Sequence, residues 1–139
     1  MIPPRLYKQI TASMPITSVE AMIVKGGALL LMKRKNSPAK GEWWLPGGMV
    51  RKGDTFEGAL LREVKEETGL DVGVVRFVGV YNRIFPERHD ITIVYLCRCK
   101  DQKAEVVMNR EHSEYCFSRE LPERLHPYLL ETIRDSGWK

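Results

Sequence analysis

A chain of 139 residues with 43% hydrophobic and 29% charged content has the make-up of one globular domain, long enough for a real core. No apolar run approaches the roughly 18 residues that a membrane span needs. Residues 1–20 also lack the continuous apolar stretch of a secretory signal, so the expected setting is cytoplasmic, with no membrane partner. A net charge of +4 suits anionic small molecules, but apart from Lys33-Arg34-Lys35 the bases are scattered, and nucleic acid is not an expected partner.

In chain order, residues 4–12 suit a short helix that ends before Pro15. Residues 17–25 and 28–34 are apolar runs of strand length, and Gly26-Gly27 between them is a hairpin signal. Residues 36–48 hold two prolines and three glycines and read mostly as loop. The clearest helix covers 55–68, where Phe56, Ala59, Leu60 and Val64 make one apolar stripe. Asp54 or Thr55 can cap its start, and Gly69 suits its end. Residues 72–84 and 90–99 are strand-like runs around a polar stretch, and 114–118 adds a short strand. Residues 119–136 read as a closing helix with Leu125, Leu129, Leu130 and Ile133 on its apolar side. No repeat or linker interrupts the chain, so 1–139 is read as a single domain with residues 1–16 as an N-terminal extension. Cys97, Cys99 and Cys116 are odd in number and read as structural thiols rather than a disulfide framework or a metal site.

The helix over 55–68 has a second face. Glu63, Glu66 and Glu67 stand at i, i+3 and i+4, which brings three carboxylates within one turn. A hard divalent cation would offset their repulsion, because Mg²⁺ takes oxygen ligands and completes its shell with water and phosphates. From the helix alone, an ordinary acidic face is the better reading of the three glutamates. The preceding Leu45-Pro46-Gly47-Gly48 favours the cation: glycine lets backbone pass close to a ligand, and the loop feeds a helix N-terminus, where anions are favoured.

The stretch GGMVRKGDTFEGALLREVKEETGL resembles the box of the Nudix hydrolases, through Gly48, Arg62-Glu63, Val64, Glu66-Glu67, Gly69 and Leu70. Asp54 departs from the usual glutamate, and Arg51 stands where many relatives carry an acid. The resemblance implies an α/β fold, an α/β/α sandwich around a mixed sheet with the box as loop–helix–loop. It also implies metal-dependent hydrolysis of a nucleoside diphosphate linked to another group, such as a nucleotide sugar or a nucleoside triphosphate. Glu63, Glu66 and Glu67, with the Gly47 carbonyl, would hold Mg²⁺ or Mn²⁺. Arg62 would orient the carboxylates, and Glu63 or Glu66 would take a proton from water.

The segments MPITSVEAMIV, KRKNSPAKGEWWLPGG and NREHSEYCF also resemble the GDP-mannose mannosyl hydrolases. That similarity implies Glu111 as a further metal ligand, His112 as a general base attacking the sugar carbon, and Arg34 near the diphosphate. It further implies a homodimer built through the N-terminal extension. The subgroup lacks the Arg-Glu pair that Arg62-Glu63 provides here and has Arg where this chain has Met49, so the intact box favours attack on phosphorus. Phe85-Pro86-Glu87-Arg88-His89 is similar to MutT-type enzymes acting on nucleoside triphosphates. Gly48, Trp44 and Tyr81 are candidate substrate contacts, the two aromatics serving either a base pocket or the core. A non-catalytic nucleotide-sensing or RNA-binding module is the alternative from another class, and it is disfavoured because such modules usually lose box carboxylates.

Overall fold

The computed structural model describes residues 2–109 and 112–138. The chain runs α1 (Pro4–Ser13), β1 (Ile16–Lys25), β2 (Ala28–Arg34), β3 (Trp43–Trp44), β4 (Gly47–Met49), α2 (Phe56–Thr68), β5 (Val72–Ile84), β6 (His89–Cys99), β7 (His112–Ser118) and α3 (Pro127–Ser136). The strands form one mixed sheet in the order β3-β2-β1-β6-β5, with β4 also pairing β1 and β7 also pairing β2. β1 and β6 are parallel, from Ile16 opposite Asp90 to Val24 opposite Arg98, and the other pairings are antiparallel.

Strand alternation divides the core between the two faces. Val19, Ala21 and Ile23 of β1 meet Ala59, Leu60 and Val64 of α2 on one face. Met22, Leu29 and Leu31 meet Leu129 and Ile133 of α3 on the other. The result is the expected α/β/α sandwich. Gly26 and Gly27 both take positive φ, which a two-residue hairpin turn demands, and Lys25 pairs with Ala28 across it. α2 is capped by Thr55, whose hydroxyl accepts from Gly58 N–H at 3.0 Å, and ends at Gly69 in the left-handed region.

Three elements differ from expectation. Residues 36–48 are not all loop, because Trp43–Trp44 pair with Met32 and Lys33, and Gly47–Met49 pair with β1; these partners are distant in sequence. The closing helix begins only at Pro127. Proline sits readily at a helix start but restricts the residue before it, so 119–126 stays irregular and Leu125 lies outside the helix. In the α2 stripe, Phe56 turns out to solvent at 47% exposure, while Ala59, Leu60 and Val64 are buried. Cys97 and Cys99 are buried, as read from sequence, and Cys97, sealed in the core, has its thiol pushed up to about 12 by burial.

Candidate active site

The site is assembled where β4 lies along β1. Glu20 pairs with Gly47, Val19 with Gly48 and Ser18 with Met49, and the flanking bonds Ala21 N–H to Pro46 O and Val50 N–H to Thr17 O are both 2.9 Å. A Cβ on Gly47 would collide with the Val19 carbonyl, and one on Gly48 would lie 2.5 Å from the Glu63 carboxylate. The two glycines are therefore what allow loop, strand and helix to meet.

α2 presents its three glutamates differently. Glu63 lines a cleft of about 690 Å³. Glu66 is exposed, and Glu67 is buried, its Oε2 accepting from Gly47 N–H at 2.7 Å. Arg62 ties the loop to the helix: it donates to Asp54 Oδ2 at 2.7 Å, to Met49 O at 3.2 Å and to Glu63 Oε1 at 3.4 Å. The shorter Asp54 thus reaches the arginine, and it also accepts from Arg51 N–H at 2.8 Å. The hydrogen bond from Arg62 holds the Asp54 carboxyl below the usual range. Burial pushes the Glu63 carboxyl up, and the neighbouring Glu66 charge pushes it the same way against Arg62.

Among the described residues, no three carboxylate, imidazole or thiol groups converge as a closed metal cage. Mg²⁺ does not need one, because one or two carboxylates together with waters and substrate phosphates make up its usual shell. The donor set fits that pattern: Glu63 is crowded by a like charge, opens on a cleft, and lies against a glycine that leaves space beside its carboxylate. Arg34, Arg51 and Lys52 line the same cleft and supply positive charge for an anionic group.

Not every candidate residue comes to this cleft. Arg34, Trp44, Gly47 and Gly48 line it. Trp44 is only 4% exposed, however, with its Nε1–H on Glu20 and the Arg83 guanidinium 5.4 Å over its ring, so it is a wall and not an open stacking platform. Tyr81 is not among the lining residues; it packs towards α3 and donates to Asp135 at 2.8 Å. His112 is enclosed, its Nε2 4.0 Å from Glu67 Oε1, and its side chain does not reach the cleft surface. Glu111 lies outside the described residues.

The site also includes polar residues that pattern reading passed over. Glu20, Arg83 and Thr132 form a buried chain in which Arg83 pairs with Glu20 and donates to Thr132 at 2.7 Å. Arg88 is paired with Asp90, Nε to Oδ1 at 2.9 Å, and both line the cleft. The available signal was a charged residue inside an otherwise apolar strand run, since such groups are almost never buried unless paired.

The same fold occurs in solved structures. A MutT NUDIX hydrolase from Burkholderia pseudomallei is 28% identical, with a TM-score of 0.76 over 88% of this chain and 98% of that one. A MutT protein from Methanosarcina mazei Go1 is 30% identical, with a TM-score of 0.78 over 89% and 95%. The fold is that of the MutT-type Nudix hydrolases. The NUDIX domain matches residues 14–135, and the chain belongs to the Nudix hydrolase family. Its relatives include the low-salt glycan biosynthesis protein Agl8 of Haloferax volcanii, 32% identical over 92% of this chain and 86% of that protein. The ADP-ribose pyrophosphatase of Methanocaldococcus jannaschii is 46% identical over 86 residues, covering 59% of this chain and half of that protein.

Proposed function

We propose that the protein is a Mg²⁺- or Mn²⁺-dependent hydrolase of a nucleoside diphosphate joined to a sugar or a further phosphate, with water attacking phosphorus and an anhydride P–O bond breaking. The observation that carries this reading is that Glu63, the Gly47-Gly48 turn and the cations Arg34, Arg51 and Lys52 share one cleft. Its volume suits a nucleotide derivative. The names of two relatives, an ADP-ribose pyrophosphatase and a glycan biosynthesis protein, agree with a diphosphate linking a nucleoside to a sugar-like group.

Glu63, Glu66 and Glu67 with the Gly47 carbonyl would hold the cation, and Glu111 is kept as a further ligand. When bound, the cation withdraws charge from the diphosphate and makes water a better nucleophile. Arg62 orients Glu63 and braces the loop through Met49 O. Glu63 opens on the cleft with the Glu66 charge near it, and one of the two, Glu63 or Glu66, accepts the proton from water. Arg34 steers the diphosphate. The setting is cytoplasmic, and a homodimer is expected from the likeness of the N-terminal extension to that of the mannosyl hydrolases; Leu6 in α1 and Met14 just after it are exposed.

The test is hydrolysis of a nucleotide library in ¹⁸O-labelled water. Label in a phosphate supports the reading, whereas label in a free sugar would establish attack on carbon, as in the mannosyl hydrolases. Glu66→Gln and Glu67→Gln should each cut turnover sharply with the fold intact. Tight nucleotide binding without product in excess Mg²⁺ would favour a sensor.

A further inference from the structure

β5 and β6 form one end of the sheet, and on the α2 side the helix leaves that end partly uncovered. Residues directly opposite each other in an antiparallel pair share a face. Phe77 is opposite Tyr95, Val80 opposite Ile93, Asn82 opposite Ile91 and Ile84 opposite His89. Ile93 belongs to the core beneath α2, and Tyr95 packs against the same cluster. Farther out, Phe77, Val80 and Ile84 are 53%, 56% and 62% exposed, although all three are large apolar side chains. The Phe77 and Tyr95 rings meet edge-on with centroids 6.0 Å apart. None of these residues lines the cleft. Together with the half-buried Ile91 and Tyr95 they present roughly 400 Å² of apolar side chain, a size at which a patch marks an interaction site.

We propose that this face is an interface with a second copy of the chain, the two β5–β6 ends packing face to face about a two-fold axis near Asn82. A two-fold contact needs a surface that complements itself. Each copy carries a net charge of +4, so two copies repel unless they meet where charge is least. Phe77, Val80, Asn82, Ile84, Ile91 and Tyr95 include no acidic or basic side chain. A partner recognised by opposite charge would be drawn to other surface instead. The area also fits: a standard interface removes about 800 Å² per partner, somewhat over half of it apolar, so this face supplies the apolar centre that each copy has to contribute. Asn82 is the polar group within it. Its Oδ1 accepts from His89 Nε2 at 3.2 Å, which leaves the amide N–H groups to donate across the axis. Strand addition is closed off, although β5 is the last strand of the sheet. Ile84 N–H donates to the Tyr128 hydroxyl, and that hydroxyl donates to Ile84 O, both at 3.1 Å, so the edge is capped there and the face is what remains. This surface is separate from α1, where the likeness to the mannosyl hydrolases puts a dimer contact.

The test is the particle mass of the full chain by sedimentation velocity over a concentration series, and it needs no substrate. Phe77→Asp and Val80→Asp put a charge on the exposed part of the face. Each should halve the mass found for wild type while the circular dichroism spectrum stays the same. Phe77→Tyr keeps the ring and should keep the wild-type mass. Leu6→Asp reads the α1 surface separately. If copies also join through α1, wild type is a tetramer and either aspartate on β5 still halves it. A wild type that is monomeric at every concentration overturns the proposal. So does a mass unchanged by both β5 variants, or one lowered by Leu6→Asp alone. Should the aspartate variants lose their fold, amide hydrogen exchange of wild type at low and high concentration decides instead. Slower exchange at high concentration over residues 77–84 and 91–95 supports the interface, and equal exchange at both concentrations overturns it.

Discussion

His112 Nε2 lies 4.0 Å from Glu67 Oε1, and both side chains are closed off from solvent. Glu67 in turn accepts from the Gly47 amide, so the imidazole backs a carboxylate that is locked onto the glycine turn. An imidazole so placed can position Glu67. His112→Gln should lower kcat about tenfold, the usual scale for a group supporting a metal-site carboxylate. The pH–rate profile should keep its shape, and Mn²⁺ affinity should weaken in parallel. Disappearance of one side of the profile would instead make the imidazole the proton acceptor.

Asp54 takes the place of the usual glutamate and still reaches Arg62 at 2.7 Å. Asp54→Asn should therefore be more harmful than Asp54→Glu, because the amide loses the charge that Arg62 pairs with. The sign of the pH dependence follows from the depressed carboxyl. Its contribution to stability is complete above the ordinary value of 3.8 and is lost as pH falls below that through the lower folded value. Acid titration of wild type and Asp54→Asn followed by circular dichroism should show the variant without this part of the acid transition.

Arg51 and Lys52 line the cleft on the loop that leads into α2, and Arg51 stands where many relatives carry an acid. Arg51→Glu should raise KM about tenfold, the worth of a charge-assisted contact to phosphate. Because the group is exposed, the penalty should shrink as salt is added. A KM insensitive to both charge and salt would place the phosphates elsewhere.

The buried Glu20–Arg83 pair joins β1 to β5, and both partners have further bonds, Glu20 from Trp44 Nε1–H at 2.8 Å and Arg83 to Thr132. Glu20→Ala would leave an uncompensated guanidinium under the cleft and should cost about 3–5 kcal/mol in denaturant unfolding. The double variant Glu20→Ala with Arg83→Met should recover part of that loss, since it removes the orphaned charge. No recovery would show that the cost lies in packing.

Local pattern made most of the secondary structure legible. Three-and-four spacing revealed α2, Gly26-Gly27 revealed the hairpin, and Thr55 and Gly69 marked the ends of the box helix. The short strands β3 and β4 escaped, because their pairing partners lie far away in the chain and a turn-rich sequence hides them. The start of α3 is hidden for a related reason: Leu125 fits a helical period, but Pro127 sets where that helix can begin.

By itself the sequence determined the family and the chemistry-bearing segment, because glutamate spacing on one helix and a glycine turn before it depend only on local geometry. Arg34, Gly47, Gly48 and Glu63, which the sequence singles out, line one cleft. Only the tertiary structure decided which carboxylate faces the cleft and which is buried, and that Tyr81 and His112 face away from it. It alone brought Tyr7 together with Arg88 and Asp90 from distant parts of the chain. The physical reason is that a side chain's exposure and partners depend on how β1, β4, β6 and α1 pack, and contacts between residues 81 positions apart leave no trace in local periodicity.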